Sequence, residues 1–168
     1  NLLSSKSNIT VSTVKRLADD TTIGYAVEAP SITKSGYADR ITLMVGFIEQ
    51  DGEAIINGVE VLSQKETPGL GANMTKEGNS LERSIVGKDA SMVEFSVSKE
   101  GGSFDALTGS TISSRAYANA IETAYAGYLW ATHRLDTSEE AVEDAPSGAS
   151  MTYDINELET EKGEGDHE

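Results

Sequence analysis

The stretch Asp105-Ala106-Leu107-Thr108-Gly109-Ser110-Thr111-Ile112-Ser113-Ser114 gathers five hydroxyls around one glycine where a helical apolar period begins. A helix start leaves backbone N–H groups without acceptors and carries the positive end of the helix dipole, so an anion is favoured there. The chemistry these residue types suit is phosphate binding. Thr108, Ser110, Thr111, Ser113 and Ser114 can each donate a hydrogen bond to a phosphate oxygen, and one of them can instead carry the phosphate as an ester. The same residues equally suit an ordinary N-cap, in which a Ser or Thr oxygen accepts from a backbone N–H and no ligand is involved. Local physics leaves both readings open.

A second loop, Lys65-Glu66-Thr67-Pro68-Gly69-Leu70-Gly71-Ala72-Asn73-Met74, has an unusual grammar. Pro68-Gly69 predicts a type II turn, and Gly71 allows either another positive φ or a close backbone approach to a ligand. Leu70 between two glycines is either a plug into the core or an apolar surface for a flat ligand.

Strands and one long helix must position these loops. β-Forming runs at residues 23–28 and 41–48, the Asp51-Gly52 turn and a returning run at 54–62 predict an antiparallel sheet with a hairpin. Met92-Val93-Glu94-Phe95-Ser96-Val97 alternates apolar with polar and is expected to add a strand to that sheet. From Ile112, the positions Ile112, Tyr117, Ile121, Ala124, Tyr125, Tyr128 and Leu129 fall on one side at helical spacing, with Arg115, Asn119 and Glu122 turned outward. Sheet and helix segregate, so the fold class is α+β: an antiparallel sheet with hairpins packed against a long C-terminal helix. Residues 1–20 show no clean period and admit a helix. The main domain is expected over 21–135. Residues 136–168 form an acidic stretch whose like charge and low hydrophobicity predict a flexible or loosely laid tail, with Met151, Tyr153, Ile155 and Leu158 able to dock part of it as a strand or short helix.

Composition limits the function. A chain of 168 residues can bury a core without metals or disulfides, and the absence of cysteine excludes thiolate metal sites and iron–sulfur ligation by this chain. A formal charge of −15 disfavours nucleic acid and anionic membrane surfaces as partners. The two histidines, His133 and His167, lie near no nucleophile or second ligand in sequence, so no turnover machinery or metal site is expected. The chain opens on Asn1 rather than Met, which suggests that an upstream segment has been removed.

Taken together, the two loops resemble those of a known family: the FMN-binding subunits of the Rnf electron-transfer complex and of the related sodium-translocating NADH:quinone oxidoreductase. Three segments carry the resemblance, over roughly residues 25–130. They are Gly36-Tyr37 ahead of the 41–48 strand and its Asp51-Gly52 hairpin, the segment Glu66-Thr67-Pro68-Gly69-Leu70-Gly71, and Asp105 to Thr111 followed by Ile112-Ser113-Ser114. The chain departs from the family pattern at Ser110, where alanine is commoner.

The resemblance implies that a flavin transferase attaches FMN through its phosphate to the hydroxyl of Thr111. Asp105 would be part of what the transferase recognises. Thr108, Gly109, Ser110, Ser113 and Ser114 would surround the phosphate, while Thr67, Leu70 and Gly71 would lie near the ring, with Leu70 packed on its face, and Glu66 would belong to the same cofactor site. The implied function is an electron-carrying subunit, rather than a stand-alone catalyst, of a membrane ion-translocating oxidoreductase. It would lie on the extracytoplasmic side, be anchored by an N-terminal helix absent from this chain, and have the other subunits as partners. A freestanding extracytoplasmic flavinylated redox protein and a non-redox interaction module are the alternatives.

Overall fold

In the computed structural model, which describes residues 8–32, 40–137 and 150–154, five strands form one antiparallel sheet in the order β4-β3-β2-β1-β5. β1 (Asn8–Lys15), β2 (Thr22–Pro30), β3 (Ile41–Gln50) and β4 (Glu53–Gln64) follow one another as a meander. β5 (Ser150–Asp154) pairs with β1, Asn8 opposite Asp154 and Ser12 opposite Ser150. Along β3, Ile41, Leu43, Val45 and Phe47 are buried while Thr42, Met44 and Gly46 between them are half-buried, the period of a strand with one face on a core. The β3–β4 turn has positive φ at both Asp51 (53°) and Gly52 (81°), the type I′ geometry that Asp-Gly favours. Residues 8–15 form a strand where the sequence admitted a helix. The β-branched residues Ile9, Thr10, Val11, Thr13 and Val14 suit a pleated surface, and Ile9 and Val11 are buried.

The core lies between one face of this sheet and the long helix. That helix, Thr111–Thr137, has 27 residues and therefore spans roughly 40 Å; a short helix precedes it, so the two are α1 (Ser80–Ile85) and α2 (Thr111–Thr137). Ala116, Tyr117, Ala120, Ile121, Ala124 and Tyr128 of α2 are buried, each large side chain contributing about 1.5–3 kcal/mol of burial. Contact is close at Gly127, where an added Cβ would lie 2.7 Å from Ile9 Cγ2. Two positions of α2 depart from the expected pattern. Ile112 is exposed, because its turn of helix lines a cleft rather than the sheet. Asn119 is not turned outward: its Oδ1 accepts the Ile32 N–H at 2.7 Å, satisfying a donor just beyond the end of β2.

The segment 92–97 does not form the expected strand. A 3-10 turn (Ala90–Met92) runs into it, and Val97 meets Phe104 only through an isolated bridge. The Glu94 carbonyl accepts from the N–H groups of Ser96 (2.8 Å) and Ser103 (2.9 Å), so the segment folds back on itself. Its alternation arises because Val93 and Val97 are buried and Phe95 stacks on Tyr125 at 6.1 Å between centroids. Plugs into a core can mimic the period of a pleat. Helix α1 is started by Asn79, whose Oδ1 accepts from the Glu82 N–H at 3.2 Å, and it buries Leu81 and Ile85.

The tyrosines of α2 give the fold an alkaline limit. Burial, followed by the nearby Glu82 charge, pushes the Tyr117 phenol well above its ordinary range. Burial and then the bond from Tyr128 Oη to Glu49 Oε1 at 2.8 Å do the same for Tyr128. The unfolded chain releases these protons near pH 10 while the folded chain keeps them, so their stabilisation is complete below about pH 10 and is lost as pH rises beyond it. In urea unfolding followed by tryptophan fluorescence, the midpoint is expected to fall from about pH 10 upward, and Tyr128→Phe should shallow that fall. An identical alkaline slope in the variant would remove Tyr128 from this account.

Candidate functional site

Both loops singled out by sequence are glycine turns at one end of the sheet. In Thr67-Pro68-Gly69-Leu70 the Leu70 N–H donates to the Thr67 carbonyl at 3.1 Å and Gly69 has φ 76°, as a type II turn with Pro at its second position requires. In Leu107-Thr108-Gly109-Ser110 the Ser110 N–H donates to the Leu107 carbonyl at 3.1 Å and Gly109 has φ 69°. The two turns touch. A Cβ added at Gly109 would lie 3.6 Å from Leu70 Cδ2, and one at Gly71 would lie 2.2 Å from Ser113 Oγ, 2.8 Å from Ser113 Cβ and 2.9 Å from Glu66 Cβ. Only glycine fits at position 71 without the loops separating.

Between them opens a cleft of about 310 Å³, walled by Glu66, Thr67, Leu70 and Gly71 on one side and by the start of α2 on the other. That volume lies at the lower end of the roughly 300–1,000 Å³ found for ligand pockets. The first bond into α2 runs from the Ser114 N–H to the Ser110 carbonyl at 3.0 Å, and the N–H groups of Thr111, Ile112 and Ser113 have no acceptor among the described residues. Ser110 is 6% exposed, and its Oγ has no hydrogen-bond partner among the described residues. A buried hydroxyl left unpaired costs about 1–3 kcal/mol, so this wall calls for an acceptor with several lone pairs. Phosphate oxygens fit it.

The structure gathers most of the residues predicted for this site. Glu66, Thr67, Leu70, Gly71, Gly109, Ser110, Thr111 and Ser113 all line the cleft. Leu70 is 44% exposed at its rim, so it is not a core plug, and Ile112, 52% exposed, also lines it. Ser114 does not reach the cleft. Fully buried, its Oγ accepts from the Leu107 N–H at 3.0 Å and donates to the Ser110 carbonyl at 2.8 Å, which locks the turn onto the helix. Asp105 and Thr108 are exposed and lie outside the cleft wall, the Asp105 N–H donating to Ser84 Oγ at 3.1 Å. Gly36-Tyr37 and the side chain of His133 fall outside the described residues.

One lining residue had no local signal in the sequence. Arg40, immediately before β3, donates from Nε to Glu66 Oε1 at 2.5 Å. The Glu66 side chain is 2% exposed and that of Arg40 38%, so the glutamate sits deep and the arginine side chain is the more open of the two. The pair spans 26 positions of sequence. Only the meeting of the start of β3 with the segment after β4, Ile41 opposite Gln64, brings it together.

A sheet backed by one long helix, with a glycine-turn cleft at the helix start, is the frame of a flavin-binding domain, and the chain belongs to the FMN-binding domain family, whose profile matches residues 36–126. The match takes in both loops and the first turns of α2. Similar curated proteins are ion-translocating oxidoreductase complex subunits G. That of Aliivibrio fischeri strain MJ11 is 38% identical over 114 residues, covering 66% of this chain and 51% of the relative. Those of Shewanella baltica (39% over 105 residues, 61% and 47%) and Erwinia tasmaniensis (35% over 107 residues, 62% and 49%) are similar in the same way. The chain thus spans about half the length of the curated relatives it matches.

Proposed function

We propose that this chain carries FMN in the cleft, joined through its phosphate to Thr111 Oγ1, and that it serves as the electron-relaying domain of a subunit of a membrane ion-translocating oxidoreductase complex. The observation that supports this most directly is the unpartnered, buried Ser110 hydroxyl beside three open N–H groups, on the same cleft wall as Thr111. When bound, FMN supplies a ring able to accept one or two electrons. The chain's own residues hold and orient. Ser110 Oγ and the N–H groups at the start of α2 bind phosphate oxygens, and the positive helix end offsets their charge. Leu70 and Ile112 offer apolar surface to a flat ring, and Thr67 and Gly71 shape the wall beneath it. Asp105 and Thr108, exposed outside the cleft, are placed for a flavin transferase to recognise.

The partners of this reading are the other subunits of the complex and the maturing transferase. The domain lies on the extracytoplasmic side, held to the membrane by a segment preceding this chain. Among the described residues no helix is long and apolar enough to cross a membrane. A covalent ester has a physical purpose on that side, since a cofactor that dissociates outside the cell is diluted beyond recovery. The test is to co-express the chain with a flavin transferase, denature it and separate it by gel electrophoresis. Flavin fluorescence is expected to migrate with the protein band. A dark band, beside a known flavinylated substrate that glows, would overturn the covalent assignment.

A further inference from the structure

The geometry points to Arg40 as the residue that sets the charge felt by a flavin ring in this cleft, with Glu66 as the residue that positions it. This rests on the proposed FMN site and extends it to a residue outside both loop motifs. Among the described residues lining the cleft, Arg40 is the sole cation, in a chain whose formal charge is −15. Both members of the pair line the cleft, but unequally: the Glu66 side chain is almost wholly buried, while the Arg40 side chain is more than a third exposed. A ligand arriving from the open side therefore meets more of the Arg40 side chain than of Glu66. The bond from Nε to Glu66 fixes the plane of the group, so its orientation is set before any ligand arrives.

The consequence concerns electron uptake. An oxidised flavin ring that takes two electrons and two protons stays neutral, whereas two electrons and one proton leave one negative charge on it. Arg40 favours the second outcome and so raises the midpoint potential, while the Glu66 charge opposes it. The electrons come from a low-potential carrier, for which dithionite stands in during the measurement.

The test is an anaerobic redox titration, with dithionite and indicator dyes, of the flavinylated chain and three variants. Arg40→Gln is expected to lower the reduced-to-oxidised ratio at fixed potential about tenfold, or about 30 mV for a two-electron couple. Arg40→Lys should restore most of that loss, and Glu66→Gln should shift the potential upward. The Arg40→Gln shift should shrink in about 1 M salt, where the screening length is about 3 Å, more than the shift from the buried Glu66. A purely structural role would move Arg40→Gln and Glu66→Gln in the same direction, and that result overturns the inference, as does an unchanged potential in loaded Arg40→Gln. If Arg40→Gln takes up no flavin, the other two variants decide. Failure of Arg40→Lys to load as well, or a fall or no change in Glu66→Gln, overturns it. Failure of the wild-type chain to load counts instead against the FMN site itself.

Discussion

Thr111→Ala is expected to yield a folded protein that carries no covalent flavin when made beside an active transferase, with Thr111→Ser retaining it. The loss should be complete, because a phosphoester needs a hydroxyl and the serine hydroxyls around the start of α2 are buried or already bonded. Ser110 Oγ is buried, Ser114 Oγ is committed to Leu107 and the Ser110 carbonyl, and Ser113 is buried against Gly71. Thr111 is half-buried and makes no side-chain bond to another described residue, so truncation should change stability by no more than about 0.5 kcal/mol. Intact-mass spectrometry checks both arms: wild type gains the mass of one FMN less one water, and the alanine variant gains nothing. An alanine variant that still gains it would move the attachment to another residue.

Gly71→Ala should damage the same site without touching the attachment hydroxyl. Its methyl group would lie 2.2 Å from Ser113 Oγ and within 3 Å of Ser113 Cβ and Glu66 Cβ. Neither neighbour can swing aside freely, since Ser113 is fixed in the first turn of α2 and Glu66 is bonded to Arg40. Overpacking of this kind costs about 1–3 kcal/mol, or roughly 2–4 °C of melting temperature per kcal/mol in a domain of this size. The larger effect falls on loading, because relief of the clash moves the Glu66–Gly71 wall away from α2. Thermal unfolding and in-gel fluorescence read the two effects separately. Gly69→Ala is the comparison: a Cβ there meets open space, so only its positive φ opposes the change and the cleft wall should persist. Equal flavin loading in Gly71→Ala and wild type would contradict the contact between the loops.

Much of this architecture was legible because its signals are local. Asp51-Gly52 demands positive φ at consecutive residues, and Pro68-Gly69 demands it at the second of two, so each turn was readable from a dipeptide. The cleft residues were legible as two motifs whose order and types resemble a family, which no single hydroxyl could have revealed. What escaped depends on distant partners. Arg40 matters through a carboxylate 26 positions away, and Asn119 turns inward to satisfy the N–H of Ile32. Ser114 looked like another phosphate donor, yet its oxygen is needed to close the turn. Period-2 alternation at 92–97 was misleading because Val93, Phe95 and Val97 pack from a folded-back loop.

The register of the sheet also gives the domain two unlike poles. Asn8, Asp154, Pro30, Thr42 and Gln64 lie at one pole, and the Asp51-Gly52 hairpin lies at the other. The polypeptide therefore comes into β1 and departs from β5 at the pole that bears Arg40 and Glu66, β1 two strand spacings from β3, or about 10 Å, and β5 three, or about 14 Å. Tension on the chain where it enters β1 or leaves β5 would turn the cleft, and not the hairpin, toward its source. For the proposed flavin, whose electron transfer would weaken steeply with separation, the pole at which the chain enters would itself be a form of wiring.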